Sequence, residues 1–261
     1  MNPKAPCEAY RGRAAPPSKH DSMPIDIAEN IANVRARSGR ACARSGRPAA
    51  AVALLAVSKT QPPAALAAAL RAGVDGIGEN YLQEAQDKIA ALGPTAATWH
   101  FIGPLQSNKT AGVAAAFDWV QSVDRLKIAQ RLAAQRPAGL APLNVCVQVN
   151  IDREATKSGV TPEQLPALLA AIAALPNLAL RGLMAIPLAA ADPEQRRASF
   201  ARMRALFEAQ RAHFPQLDTL SMGMSDDFEI AIEEGATLVR IGSAIFGARP
   251  AKAGPDTGTG A

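Results

Sequence analysis

Residues 51–59 read AVALLAVSK. Seven apolar residues and a serine follow one another without the alternation of a half-exposed strand. Residues 51–58 therefore read as a strand buried on both faces, the kind found in parallel sheets covered by helices. Lys59 ends the run with a charge at the strand's C-terminal end. The fold then depends on whether this pattern repeats.

It repeats seven more times. Short apolar runs at 74–77, 98–102, 119–121, 143–150, 179–185, 219–221 and 237–241 read as strands. Helical patterns separate them, at 62–72, 81–92, 107–116, 125–135, 162–175, 193–213 and 226–234. Pro62, Pro162 and Pro193 stand at helix starts, where a missing N–H costs nothing. Strands alternating with helices imply a parallel sheet with crossover helices. Eight such units close into a (β/α)8 barrel of the TIM type, which typically takes ~250 residues, and the chain has 261. The competing reading is an open doubly wound α/β sheet. Its fingerprints are missing: GIGENY at 76–81 lacks the third glycine of GxGxxG, and no GxxxxGK[ST] occurs.

A further helix is expected from about residue 25. It carries the repeat ARSGR at 36–40 and 43–47, and its glycines predict fraying or a break between 39 and 46. The barrel is assigned to 25–249 as a single domain. Residues 1–24 are expected to form a disordered basic extension, and 250–261, PAKAGPDTGTGA, a disordered tail.

The net charge of +5 does not point to nucleic acid. Residues 1–48 hold nine Lys/Arg against four Asp/Glu, and the remaining 213 residues hold 19 of each sign. The excess belongs to the N-terminal end, read as solvated rather than as a polyanion-binding surface. Aromatics are only 4% of the chain, too few for a base-stacking platform. Cys7, Cys42 and Cys146 form no CxxC pair and are odd in number, which implies a reducing compartment and a cytoplasmic protein. His20, His100 and His213 lie far apart without metal-ligand spacing, so no metal site is expected. No signal-peptide core and no membrane-length apolar run is present.

In such barrels sites form at the C-terminal ends of the strands. Lys59 follows the most apolar strand. Apolar walls there would favour its neutral amine, the form that attacks a carbonyl. Ser225 lies in the loop after strand 7, beside Gly223. Gly242 and Ser243 follow strand 8, and barrels often hold a phosphate in these two loops. Arg240 ends strand 8, which must pair with strand 1 if the barrel closes, so Arg240 and Lys59 should be neighbours. Arg240 could also simply pair with Asp226 or Asp227. A Schiff-base lysine, a cation and a phosphate cradle within one small molecule's length suit pyridoxal 5′-phosphate (PLP). His100 is expected at the mouth end of strand 3, as a satisfied polar residue of the rim.

Seven longer stretches stand out together: AVSKTQP (56–62), GIGENYLQEA (76–85), WHFIGPLQSNK (99–109), VNIDREATKSG (149–159), LRGLMAI (180–186), LSMGMSDDFEIAI (220–232) and VRIGSAIFGAR (239–249). On these motifs the chain resembles the pyridoxal phosphate homeostasis protein family, small barrels related to the barrel domain of alanine racemase. The resemblance covers about residues 25–249 and implies a PLP-dependent fold type III barrel without the β-rich second domain. By resemblance, Lys59 is the aldimine lysine and Arg240 faces the pyridine nitrogen. Ser225, Gly242 and Ser243 hold the phosphate, and Asn80 walls the site. Lys157, in TKSG, stands where related racemases carry an arginine.

An arginine cannot take up the proton that would make the pyridine a strong electron sink. The resemblance also implies that a racemase needs a second base, a tyrosine brought by the missing domain. Tyr10 and Tyr81 are the only tyrosines here. The expectation is a PLP carrier in vitamin B6 homeostasis, not an enzyme, with apo PLP-dependent enzymes as partners. It is expected to be a monomer or weak dimer. A weak amino-acid racemase and a purely structural barrel are the rival readings.

Overall fold

The computed structural model describes residues 25–187 and 192–247. The extension and tail expected at 1–24 and 250–261 lie outside these residues. The chain enters through α1 (Ile27–Arg44), capped by the Asp26 carboxylate, which accepts the Glu29 N–H at 2.9 Å. Strands and helices then alternate: β1 (Ala53–Val57), α2 (Pro63–Arg71), β2 (Gly76–Glu79), α3 (Leu82–Leu92), β3 (Trp99–Phe101), α4 (Thr110–Ala116), β4 (Trp119–Val123), α5 (Leu126–Gln135), β5 (Leu143–Val149), α6 (Leu165–Ala173), β6 (Leu178–Ala185), α7 (Pro193–Arg211), β7 (Thr219–Ser221), α8 (Phe228–Glu233), β8 (Leu238–Ile241) and α9 (Ser243–Phe246).

The eight strands pair in sequence order, all parallel, and β8 closes on β1. Leu55 lies opposite Arg240 at that closure. This is the (β/α)8 barrel expected of the sequence. Strand residues such as Leu54, Ala56, Val239 and Ile241 are buried together with helix residues such as Leu66, Ile128 and Phe228, in one apolar core.

Two local expectations differ from the structure. β2 lies two residues later than the apolar run 74–77 suggests. Gly76 and Gly78, poor strand formers, are within it because Leu55 of β1 fills the space where their side chains would stand: a Cβ on Gly78 would lie 3.0 Å from Leu55 Cδ2. The second concerns α1 at Gly39 alone: the helix runs unbroken through that glycine and ends at Arg44, inside the 39–46 window the glycines predict, with Gly46 at φ +68° just beyond. Tertiary contacts outweigh the glycine's propensity cost. Ala41 and Cys42 are fully buried, Arg37 pairs with Glu229 at 2.8 Å and Arg44 with Glu233 at 2.6 Å, tying α1 to α8. Asn30 Nδ2 adds a bond to the Ile245 carbonyl of α9 at 2.9 Å.

Among the described residues no helix is long and apolar enough to cross a membrane, and no cluster of His, Cys, Asp and Glu could hold a metal ion. Cys42 and Cys146 are free and buried, and burial pushes the Cys146 thiol up to about 12.

Candidate functional site

A cavity of about 290 Å³ opens at the C-terminal ends of the strands. It brings together all six residues singled out from the sequence: Lys59, Asn80, Ser225, Arg240, Gly242 and Ser243. Val57, Ile102, Ile186, Met224 and Phe246 supply apolar walls. A small cavity with apolar walls and a few convergent polar groups is the usual form of a small-molecule site.

Lys59 sits on a backbone clamped on both sides. Ser58 is fully buried and its hydroxyl donates to Glu79 Oε1 at 2.5 Å. Lys88, 4% exposed, donates from Nζ to the Ser58 carbonyl, to Glu79 Oε1 and to Glu84 Oε1, each at 2.6 Å. Glu84 in turn accepts the Thr60 N–H. Thr60 adopts φ +67°, a conformation β-branched residues avoid, so these contacts hold the chain in a turn it would not otherwise keep. Burial pushes the Glu79 carboxyl above its usual range, opposed by the bonds from Lys88 and Ser58. The clamp leaves Lys59 half-buried on the cavity wall.

Arg240 is 4% exposed and makes no ion pair with Asp226 or Asp227. Its Nη1 donates to Ser221 Oγ at 2.7 Å and its Nη2 to the Ala185 carbonyl at 2.9 Å. Burial lowers its pKa to about 10, with Asp227 acting in the opposite direction, so the guanidinium stays charged at neutral pH. Ser221 Oγ contacts Gln121 Oε1 at 2.7 Å, and Gln121 Nε2 contacts His100 Nδ1 at 2.9 Å. His100 is therefore not on the rim as the sequence suggested. Its ring lies inside the barrel, stacked on Trp119 at 5.2 Å, and borders a second cavity of about 370 Å³ at the opposite end.

The third side of the site is the pair of loops after β7 and β8. Ser225 Oγ accepts the N–H groups of Gly242 at 3.3 Å and Ala244 at 3.2 Å, long bonds that an incoming anion can replace. Gly223 holds φ +94°, and a Cβ there would stand 2.6 Å from the Ala231 side chain, so only glycine lets this loop fold against α8. Gly242 differs. Its φ is −114° and a Cβ would come no nearer than 3.4 Å to other atoms of the protein. The protein itself would accept a side chain at 242, and the free space is on the cavity's edge. Asn80 Oδ1 is buried without a hydrogen-bond partner in the same wall. A cavity-facing amine, a buried cation, exchangeable N–H donors and an orphaned amide oxygen fit a small molecule that carries a carbonyl, a ring nitrogen and an anion.

Other residues noted from the sequence lie elsewhere. Lys157 pairs with Glu154 at 2.6 Å and donates to the Pro187 carbonyl at 3.0 Å, bracing the end of β6 without lining the cavity. Asp152 bonds Ser199 at 2.7 Å and Arg202 at 2.5 Å on the barrel's flank. Gln121 and Ser221 were not singled out from the sequence. Their only signal is a polar residue inside a short apolar strand, which does not say which face it occupies.

His100 has a consequence for acid stability. Burial holds its pKa down at about 3, whereas an unfolded histidine titrates near ~6.5. Below that pH the unfolded chain takes a proton that the folded chain refuses, so stability falls with pH. Between pH 7 and pH 5 the loss from this residue is expected to be roughly 2 kcal/mol. Glu79 and Asp227, both raised by burial, act with the opposite sign. The difference in unfolding free energy between wild type and His100→Gln, followed across this range, isolates the histidine. Parallel pH profiles would contradict the assignment.

Three comparisons bear on the site. The family described as the alanine racemase N-terminal domain matches residues 26–250. The pyridoxal phosphate homeostasis protein of Pseudomonas aeruginosa is 61% identical over 223 residues, covering 85% of this chain and 96% of its own. The Escherichia coli K12 protein of the same name is 52% identical over 227 residues, covering 86% and 97%. Among solved structures, PipY of Synechococcus elongatus with PLP bound superposes with a TM-score of 0.73 at 37% identity, covering 85% of this chain and all of that one. Alanine racemase from Corynebacterium glutamicum, at 16% identity and TM-score 0.64, shares the fold over 87% of this chain and 61% of its own.

Proposed function

This chain belongs to the alanine racemase N-terminal domain family, and on that premise we propose that it binds pyridoxal 5′-phosphate and serves PLP (vitamin B6) homeostasis as a carrier of the cofactor. The observation that carries the reading is the gathering of Lys59, Arg240 and the loops at 225 and 242–243 around one cavity. When bound, the cofactor supplies an aldehyde that condenses reversibly with an amine, releasing water. Lys59 is the amine at hand. Ser225, Ser243 and the N–H groups of Gly242 and Ala244 suit the phosphate, and Arg240 suits the ring nitrogen as a permanent donor. Asn80 closes the wall.

A carrier fits better than a racemase. Two-sided proton transfer needs a base on each face of the substrate. Tyr81, the tyrosine nearest the site in sequence, is 63% exposed and does not line the cavity. A reversible bond to Lys59 protects a reactive aldehyde and releases it to another amine, which points to apo PLP-dependent enzymes as recipients in the cytoplasm.

The test is an absorbance titration with PLP of wild type and Lys59→Ala, then borohydride reduction and peptide mapping. A band near ~420 nm is expected in wild type alone, with the reduced adduct on Lys59. An adduct on another lysine would refute the site, and absence of any band would leave a structural barrel. Incubation with enantiopure alanine is expected to leave it enantiopure; racemisation would favour the enzyme.

A further inference from the structure

We propose that Ser221, Gln121 and His100 are positioning residues for Arg240, a one-directional chain of hydrogen bonds across the barrel that sets which way the guanidinium presents its donors to the bound cofactor. The proposal rests on the PLP reading above.

The direction follows from what each group can do. A guanidinium has five N–H donors and no acceptor, so Ser221 Oγ must accept from Arg240 Nη1. The single hydroxyl proton of Ser221 is then directed to Gln121 Oε1, 2.7 Å away. That orients the amide with Nε2 toward His100 Nδ1 at 2.9 Å, and Nδ1 must accept. The ring proton is left on Nε2. All four side chains are buried, so none of these bonds exchanges freely with water. Reversing the last two links would turn the Gln121 amide over, so that Ser221 Oγ accepted twice and its own proton would need another acceptor; the chain begins at the one group that can never become an acceptor.

Neighbouring residues make room for this arrangement. A Cβ on Gly76 would stand 3.1 Å from His100 Nε2, so the glycine admits the ring edge. Nε2 has no hydrogen-bond partner among the described residues and borders the lower cavity with Gly76, where water can satisfy it. At the other end, Arg240 has no carboxylate within ion-pair distance among the described residues. Two neutral acceptors, Ser221 Oγ and the Ala185 carbonyl, decide its orientation. Of these, the carbonyl belongs to β6, and the hydroxyl is bonded in turn to Gln121, which is bonded to His100. The result is an Arg240 guanidinium that offers the cavity donors alone, matched to an unprotonated ring nitrogen and opposed to a protonated one.

Two measurements test this. The first needs no cofactor: a long-range ¹⁵N–¹H spectrum of the histidines, assigned by loss of the His100 signals in His100→Gln. His100 is expected to carry its proton on Nε2; a proton on Nδ1 would overturn the chain. The second compares PLP binding by wild type, Ser221→Ala and Gln121→Leu, with thermal melts confirming that each variant is folded. Both variants should still trap PLP on Lys59, bind it at least about tenfold more weakly, and show a displaced pH midpoint of the absorbance band. Ser221→Thr, which keeps the hydroxyl, should bind like wild type. If wild type binds PLP and both variants match it in affinity and midpoint, the positioning role is wrong while the cofactor reading stands. If wild type does not bind PLP, both fail.

Discussion

Lys88→Met is expected to lower the unfolding free energy by about 3–5 kcal/mol, the cost of leaving a buried charge without its partner. Lys88 and Glu79 are 4% and 0% exposed, and one ammonium serves Glu79, Glu84 and the Ser58 carbonyl at 2.6 Å each. Methionine keeps most of the volume and none of the donors. Glu79 Oε2 already lacks a hydrogen-bond partner, so in the variant the carboxylate would retain only the Ser58 hydroxyl. The sign with pH follows. Burial already raises the Glu79 pKa in the folded protein, and losing Lys88 raises it further, so the folded variant takes up a proton before the unfolded chain does. The deficit against wild type should therefore shrink as pH falls. Lys88→Met combined with Glu79→Gln should recover part of it. Urea unfolding at pH 8 and pH 5.5 reads all three effects, and a deficit below about 1 kcal/mol at both would show that the pair is not the keystone of the turn. Because the clamp holds residues 58–60, the single variant should also bind PLP more weakly than its stability loss alone explains.

Gly182→Ala is the second large effect. Gly182 lies opposite Thr219 where β6 pairs with β7, and an added Cβ would stand 1.7 Å from the Thr219 carbonyl oxygen. The obstacle is backbone, so no rotamer relieves it, and the strands must part. The cost should be at least about 3 kcal/mol, the upper end of what overpacking produces. β7 has only three residues, each paired with β6, and it is joined to β8 by the Thr237 N–H to the Leu220 carbonyl at 3.0 Å and the Met222 N–H to the Leu238 carbonyl at 3.2 Å. Its displacement would carry Ser221 and the loop at 223–225 with it. A thermal melt and a PLP titration should both change. A variant that melts within a few degrees of wild type and binds normally would show that the β6–β7 spacing is softer than its geometry implies.

Much of this was legible in the chain itself. The apolar run 51–58 and its seven successors carry the barrel, because a strand buried on both faces cannot hide its pattern. Lys59, Ser225, Gly242 and Ser243 were visible because each follows such a run, and Arg240 because it stands at the C-terminal end of one, where a parallel barrel puts its sites. The boundary of β2 was not legible. Its glycines look like a turn until Leu55 is seen to fill their space. Nor was the continuity of α1 through Gly39, since the burial of Ile31, Val34, Ala41 and Cys42 in the core outweighs local propensity.

What the sequence by itself determined is the order of elements, the class of fold and the rim residues, all properties of pattern along the chain. The tertiary structure alone decided what faces what inside the barrel. His100 proved to be an interior residue, Arg240 is held by Ser221 rather than by a carboxylate, and Lys88 reaches from α3 to the Ser58 carbonyl beside Lys59. The physical reason is that a polar residue in an apolar strand shows only that it needs a partner. The partners of His100, Arg240 and Ser58 lie 21, 19 and 30 residues away, and barrel closure brings them within hydrogen-bond reach.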